Sequence, residues 1–532
     1  MRSRFLGIVT VQLLFCFLTA CTDSEVRLPS EPAIRAEVNA CALGVSDAEA
    51  LALIDELSTA VTELEASGAL TSGQANALRT HLSGARKDIL RGAYCSAAVK
   101  LSTFRTQVRN FVGEGVLTEA QAETLLGGAT DVLEGYPHFV SVSAGAVHTC
   151  ALTQSGSAWC WGNNSFGRLG DGTTTLRSKP TPVAAGLSFV TLSAGAAHTC
   201  GLTAAGSVWC WGGPAALGTG WGLGDGTTTF SIVPVLVGPG MNLTFTQLSA
   251  GADHTCGVTT NGTGYCWGLS TNVGQLGNGT LANALVPVEV GPGLGIVFSM
   301  IDTGEGGFGH FTCGVATDRQ AWCWGNNTVF GALGDGSVPG DPSYGYSLWP
   351  VPVGPGMNLA FSTVDAGETH ACGLTTSGAA YCWGANGAGQ LGNGTADFPI
   401  GQPLDNTKTH RWPEPVVGGH VFSTIDAGGA LVSSMLEFTY RSHTCGVTPG
   451  AVALCWGVNW FGQLGDGSTT DRVVPTPVPA VPGGFSKISA GAAHTCGLST
   501  FGRAYCWGYN GLGQLGDGTT VDHSVPKAVR FN

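Results

Sequence analysis

Charge is scarce in this chain. Asp, Glu, Lys and Arg together make up 11% of its residues, and 23 basic residues face 36 acidic ones, for a net charge of −13. A surface of that sign repels phosphate backbones, which excludes nucleic acid as a partner. The chain also lacks a phosphate loop, a nucleophile elbow and a His-Glu metal helix, so no common catalytic motif can be assigned. The apolar run from Phe5 to Phe17 is too short to span a bilayer comfortably. In contrast, glycine is abundant, at 83 of 532 residues, beside 43% apolar residues. That pairing suits tight turns around an ample core and argues against disorder.

Seven times a cysteine is followed, nine residues on, by Cys-Trp-Gly. The pairs are Cys150 with Cys160, Cys200 with Cys210, Cys256 with Cys266, Cys313 with Cys323, Cys372 with Cys382, Cys445 with Cys455, and Cys496 with Cys506. In the first unit, Phe139-Val-Ser-Val-Ser, His148 to Thr153, Ser157 to Trp161 and Pro182-Val-Ala-Ala read as four short strands separated by Gly, Asn and Thr. Units of this kind, repeating every roughly 50 to 73 residues, predict a mainly β fold: a seven-bladed propeller of four-stranded antiparallel meanders.

Gly stands six residues after the first cysteine in five units, at Gly156, Gly206, Gly262, Gly378 and Gly502. A three-residue hairpin loop needs a left-handed residue at that place. With the loop at Gln154-Ser155-Gly156, Cys150 faces Cys160 directly across the ladder, at a separation a disulfide can span. Arg319 and Ala451 replace the glycine in units four and six, which leaves those two turns open. The competing use of the cysteines is zinc. That needs four ligands at one centre, whereas each blade offers two. The expectation is one disulfide per blade.

The unit Ala-Gly-x-x-His-Thr-Cys-x-Leu followed by Trp-Gly-x-Asn-x-x-Gly-Gln-Leu-Gly-Asp-Gly-Thr resembles the repeat of the regulator of chromosome condensation family, over about 139 to 532. The resemblance implies a seven-bladed propeller. The segment after Pro526 matches what elsewhere precedes the next Phe-x-x-Val run, so it should meet Phe139 in space. The eponymous member is a nuclear exchange factor for a small GTPase, an activity the compartment of this chain excludes. Secreted relatives of the repeat include a propeller-type inhibitor of β-lactamases, which implies protein recognition outside the cell.

The compartment is read from the N-terminus. Arg2 and Arg4, the apolar run and Leu18-Thr19-Ala20-Cys21 resemble a bacterial lipoprotein signal, with residues 1–20 removed and lipid on the sulfur of Cys21. A plain secretory signal is the alternative. Either address is oxidising. Thr22 after the cysteine resembles the outer-membrane-sorted kind, so a bacterial envelope or cell-surface position is expected. The mature chain keeps 21 basic and 36 acidic residues, a net charge of −15. Cys41 and Cys95 remain after the blade pairs and are expected to bond each other, leaving no thiol nucleophile.

Residues 21–40 are polar, with Pro29 and Pro32, and read as a tether. Residues 41–136 read as an α-helical domain. Ser46 caps a helix carrying Leu51, Ile54, Leu57, Val61 and Leu64, and further helical patterns cover about 74–90, 92–113 and 118–133. Gly115-Val-Leu-Thr-Glu-Ala-Gln echoes Gly68-Ala-Leu-Thr-Ser-Gly-Gln, suggesting two related hairpins, and the segment is similar to FIMAH-type modules. It is expected to act as a stalk beneath the propeller of residues 137–532.

A histidine precedes each first cysteine (His148, His198, His254, His310, His370, His443 and His494), and recurrence in every blade suits a structural bond to backbone better than a metal. Asp171, Asp225, Asp335, Asp466 and Asp517, with Asn278 and Asn393, suit an Asx turn; calcium would need more oxygens than one such side chain offers. The tryptophans of the Cys-Trp-Gly phrase should pack the blades. No cofactor or metal is implied.

Length varies between strands three and four in units two, four and five, and between strands one and two in unit six, and both connections lie on one face. These insertions carry Trp221, Tyr344, Tyr346, Trp349, Phe398, Arg411, Trp412, Phe438, Tyr440 and Arg441, residue types that anchor binding surfaces but that also serve to pack an insertion onto its ring. The leading expectation is a monomeric, envelope-anchored binding protein that engages a protein or glycan through that face. The alternatives are a polysaccharide- or peptidoglycan-acting enzyme, marked by two carboxylates of raised pKa in the central depression, and a structural spacer.

Overall fold

The computed structural model describes residues 43–531 apart from 185, 214–222, 271, 305–309, 328–330, 339–340, 398–409 and 430–441. Two compact units divide the chain, residues 1–134 and 135–532.

Among its described residues the first unit holds four helices: α1 (Asp47–Ala66), α2 (Ser72–Ile89), α3 (Tyr94–Gly113) and α4 (Glu119–Glu134). The echo seen in the sequence is a repeated helix start. At Ser46 with Glu49, Thr71 with Gln74 and Thr118 with Gln121, the cap hydroxyl accepts the backbone N–H three residues on, and the later side chain accepts the cap N–H. The buried face of α1 is Ala50, Leu53, Ile54, Leu57 and Val61; Leu51 and Leu64, counted in the stripe from spacing, sit half-buried at its edges. Cys95 is disulfide-bonded, and Cys41 lies outside the described residues. No described helix is long and apolar enough to cross a membrane.

The second unit is seven antiparallel sheets of four strands, each in chain order. The blades cover 139–182, 189–236, 245–289, 298–352, 361–415, 424–477 and 485–528. In blade 1 the strands are Phe139–Ala144, His148–Thr153, Ala158–Gly162 and Arg177–Pro182. The fourth strand therefore ends where the sequence reading began it, because the outer strand pairs Thr181 with Cys160 and Arg177 with Gly162. Prolines recur on these outer strands, at Pro180, Pro234, Pro287, Pro350, Pro413, Pro475 and Pro526, where a missing N–H blunts the open edge.

Seven disulfides join strands two and three, one per blade, each with a Cα–Cα distance of 4.1 Å. They link Cys150 to Cys160, Cys200 to Cys210, Cys256 to Cys266, Cys313 to Cys323, Cys372 to Cys382, Cys445 to Cys455, and Cys496 to Cys506, the pairing that the hairpin register requires. The hairpin beside each has the expected form: the Gly156 N–H donates to Thr153 O at 2.9 Å, with φ +83° at Gly156. Arg319 (φ +75°) and Ala451 (φ +62°) adopt the same left-handed conformation. The reason lies across the seam. The carbonyl of this residue accepts the first N–H of the next blade's inner edge in all seven cases, from Phe189 on Gly156 round to Phe139 on Gly502, with Phe361 on Arg319 and Phe485 on Ala451.

Two further rings of bonds cross the seams. The inner-strand residue opposite each first cysteine (Ser143, Ser193, Ser249, Asp302, Asp365, Asp426, Ser489) accepts a backbone N–H of the next blade's inner strand. Deeper, six histidines reach a threonine of the next blade: Nε2 lies 2.7–2.9 Å from Thr Oγ1 for His148–Thr199, His198–Thr255, His254–Thr312, His370–Thr444, His443–Thr495 and His494–Thr149. Five of these hydroxyls donate to a loop carbonyl, of Arg168, Gln275, Gln390, Gln463 or Gln514, so the imidazole must be the donor. The partner is thus a hydroxyl rather than the backbone expected from sequence. The seven Cys-Trp-Gly tryptophans are fully buried between blades. The ring closes where Phe531 packs on Phe139 and Trp159, at 5.7 and 5.6 Å.

His310 is the exception to the histidine pattern and corrects it. Unit four is longer between strands one and two, so Phe311 takes the place opposite Gly325 that His148 takes opposite Gly162. The next blade carries Ala371 where the others carry threonine. One seam therefore replaces the His–Thr pair with a Phe–Ala pair.

Candidate functional site

Blades 4 and 5 hold the described members of the aromatic set. Tyr346 and Trp349 lie within the outer strand Gly345–Pro352, and Arg411 and Trp412 within His410–Pro415. They are edge-strand residues and not loop residues, because the long connections end before them; Tyr344 immediately precedes its strand. Trp221, Phe398, Phe438, Tyr440 and Arg441 lie outside the described residues.

Trp349 and Trp412 stay 40% and 43% exposed. Each occupies the place before the outer-strand proline that Lys179, Val233, Val286, Val474 and Val525 fill in the other blades. Their inner faces are spoken for. A Cβ on Gly336 would lie 2.0, 2.3 and 2.6 Å from Cζ2, Cε2 and Cη2 of Trp412, and one on Gly279 would lie 2.1, 2.4 and 2.8 Å from Cζ2, Cη2 and Cε2 of Trp349. Three ring atoms at nearly one distance mean that each indole lies flat on a glycine of the preceding blade's Gly-Asx-Gly turn. The opposite faces are turned outward. On the same strand as Trp412, the Arg411 guanidinium stacks 5.0 Å over Tyr344 and donates from Nη1 to Ser337 O at 2.8 Å. Tyr346 is 41% exposed.

The turns beneath this platform are Asx turns, as their composition suggests. Asn278 Oδ1 accepts the Thr280 N–H, and Asp335 Oδ1 the Ser337 N–H. Asp171, Asp466 and Asp517 pair with Arg177, Arg472 and His523. Among the described residues no group of three or more His, Cys, Asp or Glu could hold a metal ion.

A second cluster escaped the sequence reading. Asp302, Asp365 and Asp426 stand on the inner strands of blades 4, 5 and 6, in the place that is serine elsewhere. Burial pushes Asp302 up to about 6, and Asp426 up to about 7, where repulsion from Asp302 adds to it; Asp365 is raised well above the carboxylate range by burial and by repulsion from Asp426 and Asp302. The signal was available as Ser-Ala changing to Asp-Thr or Asp-Ala at the end of strand one. Buried histidines move the other way: desolvation lowers His198 to about 4, and His254, His370, His443 and His494 to about 3.

Seven four-stranded blades, each with its own disulfide, define a seven-bladed propeller. Its repeats are those described as the regulator of chromosome condensation (RCC1) repeat, matched at residues 139–168, 155–202, 245–275, 361–390, 453–498, 485–514 and 502–532, while residues 54–134 match the FIMAH domain. The chain is 29% identical to the ultraviolet-B receptor UVR8 of Arabidopsis thaliana, over 73% of this chain and 81% of that protein. It is 27% identical to the mitochondrial RCC1 domain-containing protein RUG3 of Arabidopsis thaliana, over 70% of this chain and 82% of that one. Among solved structures, Prp20p of Saccharomyces cerevisiae, a protein with binding properties to Gsp1p and histones, superposes with a TM-score of 0.54 at 21% identity, covering 66% of this chain and 80% of its own. Human WBSCR16 superposes at 0.56 and 16% identity, covering 70% of this chain and 95% of its own.

Proposed function

We propose that this is an exported, lipid-anchored binding protein whose propeller engages a protein partner at the rim of blades 4 and 5. The observation that carries the reading is the pair of half-exposed indoles, Trp349 and Trp412, held flat on glycine backbone where five blades carry valine or lysine. Rigid aromatics beside an arginine are the residues that dominate binding energy at protein interfaces. Relatives support the same direction: UVR8 is a receptor, and Prp20p has binding properties to Gsp1p and histones. Seven disulfides suit an oxidising compartment, consistent with the signal and lipid attachment read at Cys21.

An enzyme in the central depression was to be marked by carboxylates of raised pKa, and three are present. Each, however, accepts a backbone amide of the next blade at a place serine fills elsewhere, which is a structural duty. Binding therefore stands as the reading.

The test uses the mature chain with Cys21 replaced. Wild type, the pair Trp349→Ala with Trp412→Ala, and the control Val474→Ala with Val525→Ala, altered at the equivalent places of blades 6 and 7, would capture partners from envelope extracts. A partner held by wild type and control but weakened on the order of 10-fold or more by the tryptophan pair is expected. Equal retention by all three would remove the rim from the reading.

A further inference from the structure

The three axial aspartates are the feature that no other part of the fold explains. All seven inner strands use the residue opposite the first cysteine to accept a neighbour's amide, and serine serves in four of them. Serine is neutral at every pH, so it staples a seam unconditionally. Blades 4, 5 and 6 use a carboxylate for the same bond: Asp302 Oδ2 accepts Ala366 N–H at 2.8 Å, Asp365 Oδ1 accepts Ala427 N–H at 2.6 Å, and Asp426 Oδ1 accepts Ala490 N–H at 2.7 Å. These residues sit on consecutive blades, so three like charges line one side of the ring's inner wall. Asp302 also accepts the Ser249 hydroxyl, at 2.8 Å.

The surroundings offer little compensation. The strands packed against these three carry His254, His370, His443 and Lys487 as their titratable side chains. The three histidines are buried and neutral, each with Nε2 held by a threonine. Lys487 is exposed on the inner strand of blade 7, and Glu368 is buried in the turn after the inner strand of blade 5.

We propose that the seams joining blades 4 to 7 form a proton-linked device: uptake of protons by Asp302, Asp365 and Asp426 tightens that arc of the ring, and their ionisation loosens it while the serine-stapled seams stay unchanged. The inference is independent of the rim reading above. Its sign follows from the direction of the shifts. A carboxyl whose folded pKa is raised contributes stability that is complete below its unfolded value and is lost as pH rises through the folded one. For Asp302 and Asp426 the loss runs from the unfolded value of about 4 up to about 6 and about 7 respectively, and Asp365 shifts in the same direction.

The experiment compares the full mature chain with the triple variant Asp302→Ser, Asp365→Ser and Asp426→Ser, the residue four blades already use. Thermal unfolding is followed from about pH 5 to 8. Because both proteins share the histidines, their difference isolates the carboxylates. The variant should gain on wild type steadily as pH rises, by several degrees of Tm across the range. Parallel curves would overturn the proposal. Should the triple variant not fold, Asp426→Ser and the isosteric Asp426→Asn each read one seam alone. A carboxyl carbon NMR titration of the wild type adds a direct readout. Three aspartates titrating at or above about pH 5 support the device, and none above the ordinary range of about 4 sinks it.

Discussion

The Phe–Ala seam between blades 4 and 5 makes the His–Thr seams testable by exchange. At the next seam His370 Nε2 donates to Thr444 Oγ1 at 2.8 Å, and Thr444 Oγ1 donates to Gln390 O at 2.8 Å; His370 and Thr444 are both fully buried. Thr444→Ala would leave the His370 N–H without an acceptor, at about 1–3 kcal/mol, and forfeit the bond to Gln390, about 1 kcal/mol net. The carbonyl itself keeps the Trp456 Nε1–H donor at 3.0 Å, so only one group is orphaned. A total loss of about 2–4 kcal/mol is expected. His370→Phe alone presses a larger, apolar ring onto a hydroxyl and should cost about 1–3 kcal/mol. Together the two changes recreate the pair Phe311–Ala371, which the protein already uses. The double variant should therefore recover part of both losses, with a coupling of about 1–3 kcal/mol. Denaturant midpoints of the four proteins, with slopes checked for constancy, measure it. A double variant as unstable as the sum of the singles would refute the view that these seams are interchangeable, self-contained pairs.

In the Asp302→Ser, Asp365→Ser, Asp426→Ser background, which removes the opposing contribution of the carboxylates, lowering pH from about 7 to 4 should steadily lower Tm. The buried histidines have folded pKa values depressed to about 3–4, so their contribution is complete above the unfolded value of 6.5 and is lost as pH falls below it; calorimetry giving a constant Tm over that range would contradict it. Ala451→Gly should stabilise by about 0.5–1 kcal/mol by relieving a left-handed alanine. Gly502→Ala should destabilise by about 1–2 kcal/mol, since φ is +78° and the added Cβ would meet Phe139 O at 2.9 Å, and denaturant midpoints decide both. Gly336→Ala should expel the Trp412 indole from its seat, 2.0 Å from the new Cβ, and reproduce the binding loss of Trp412→Ala with a red-shifted tryptophan emission. Removing one disulfide, by Cys372→Ala together with Cys382→Ala, should cost about 2–3 kcal/mol by the same midpoint measurement.

What could be read from the sequence was whatever repeats. Nine residues between cysteines with a glycine at the sixth place determined a hairpin, its register and its disulfide, and seven copies determined the ring. What could not be read was the business of the seams, because each bond joins residues some 50 positions apart whose pairing follows only from the closed ring. His310 shows the cost of reading by proximity: one residue of offset moved it out of the pattern and put Phe311 in. The rim tryptophans were named as candidates but assigned to loops, since a strand whose neighbour is a variable insertion has no period of its own to betray where it starts. The axial aspartates were passed over because a conservative-looking change from serine to aspartate carries weight only when it falls on three consecutive blades of one wall.

All four strands of every blade come from one continuous stretch, so no end of the chain completes the other end's sheet. Seen mechanically, the ring is a belt whose buckle between blades 7 and 1 is made of the same bonds as its links, with Phe139 N–H on Gly502 O and His494 on Thr149. A pull applied between the two ends loads that buckle first, and the belt then unwinds one blade at a time. Each disulfide withholds ten residues' worth of contour, and the seven together shorten the fully drawn chain by roughly 200 Å. A protein tethered at one end and gripped at its rim would thus yield in short, recoverable steps.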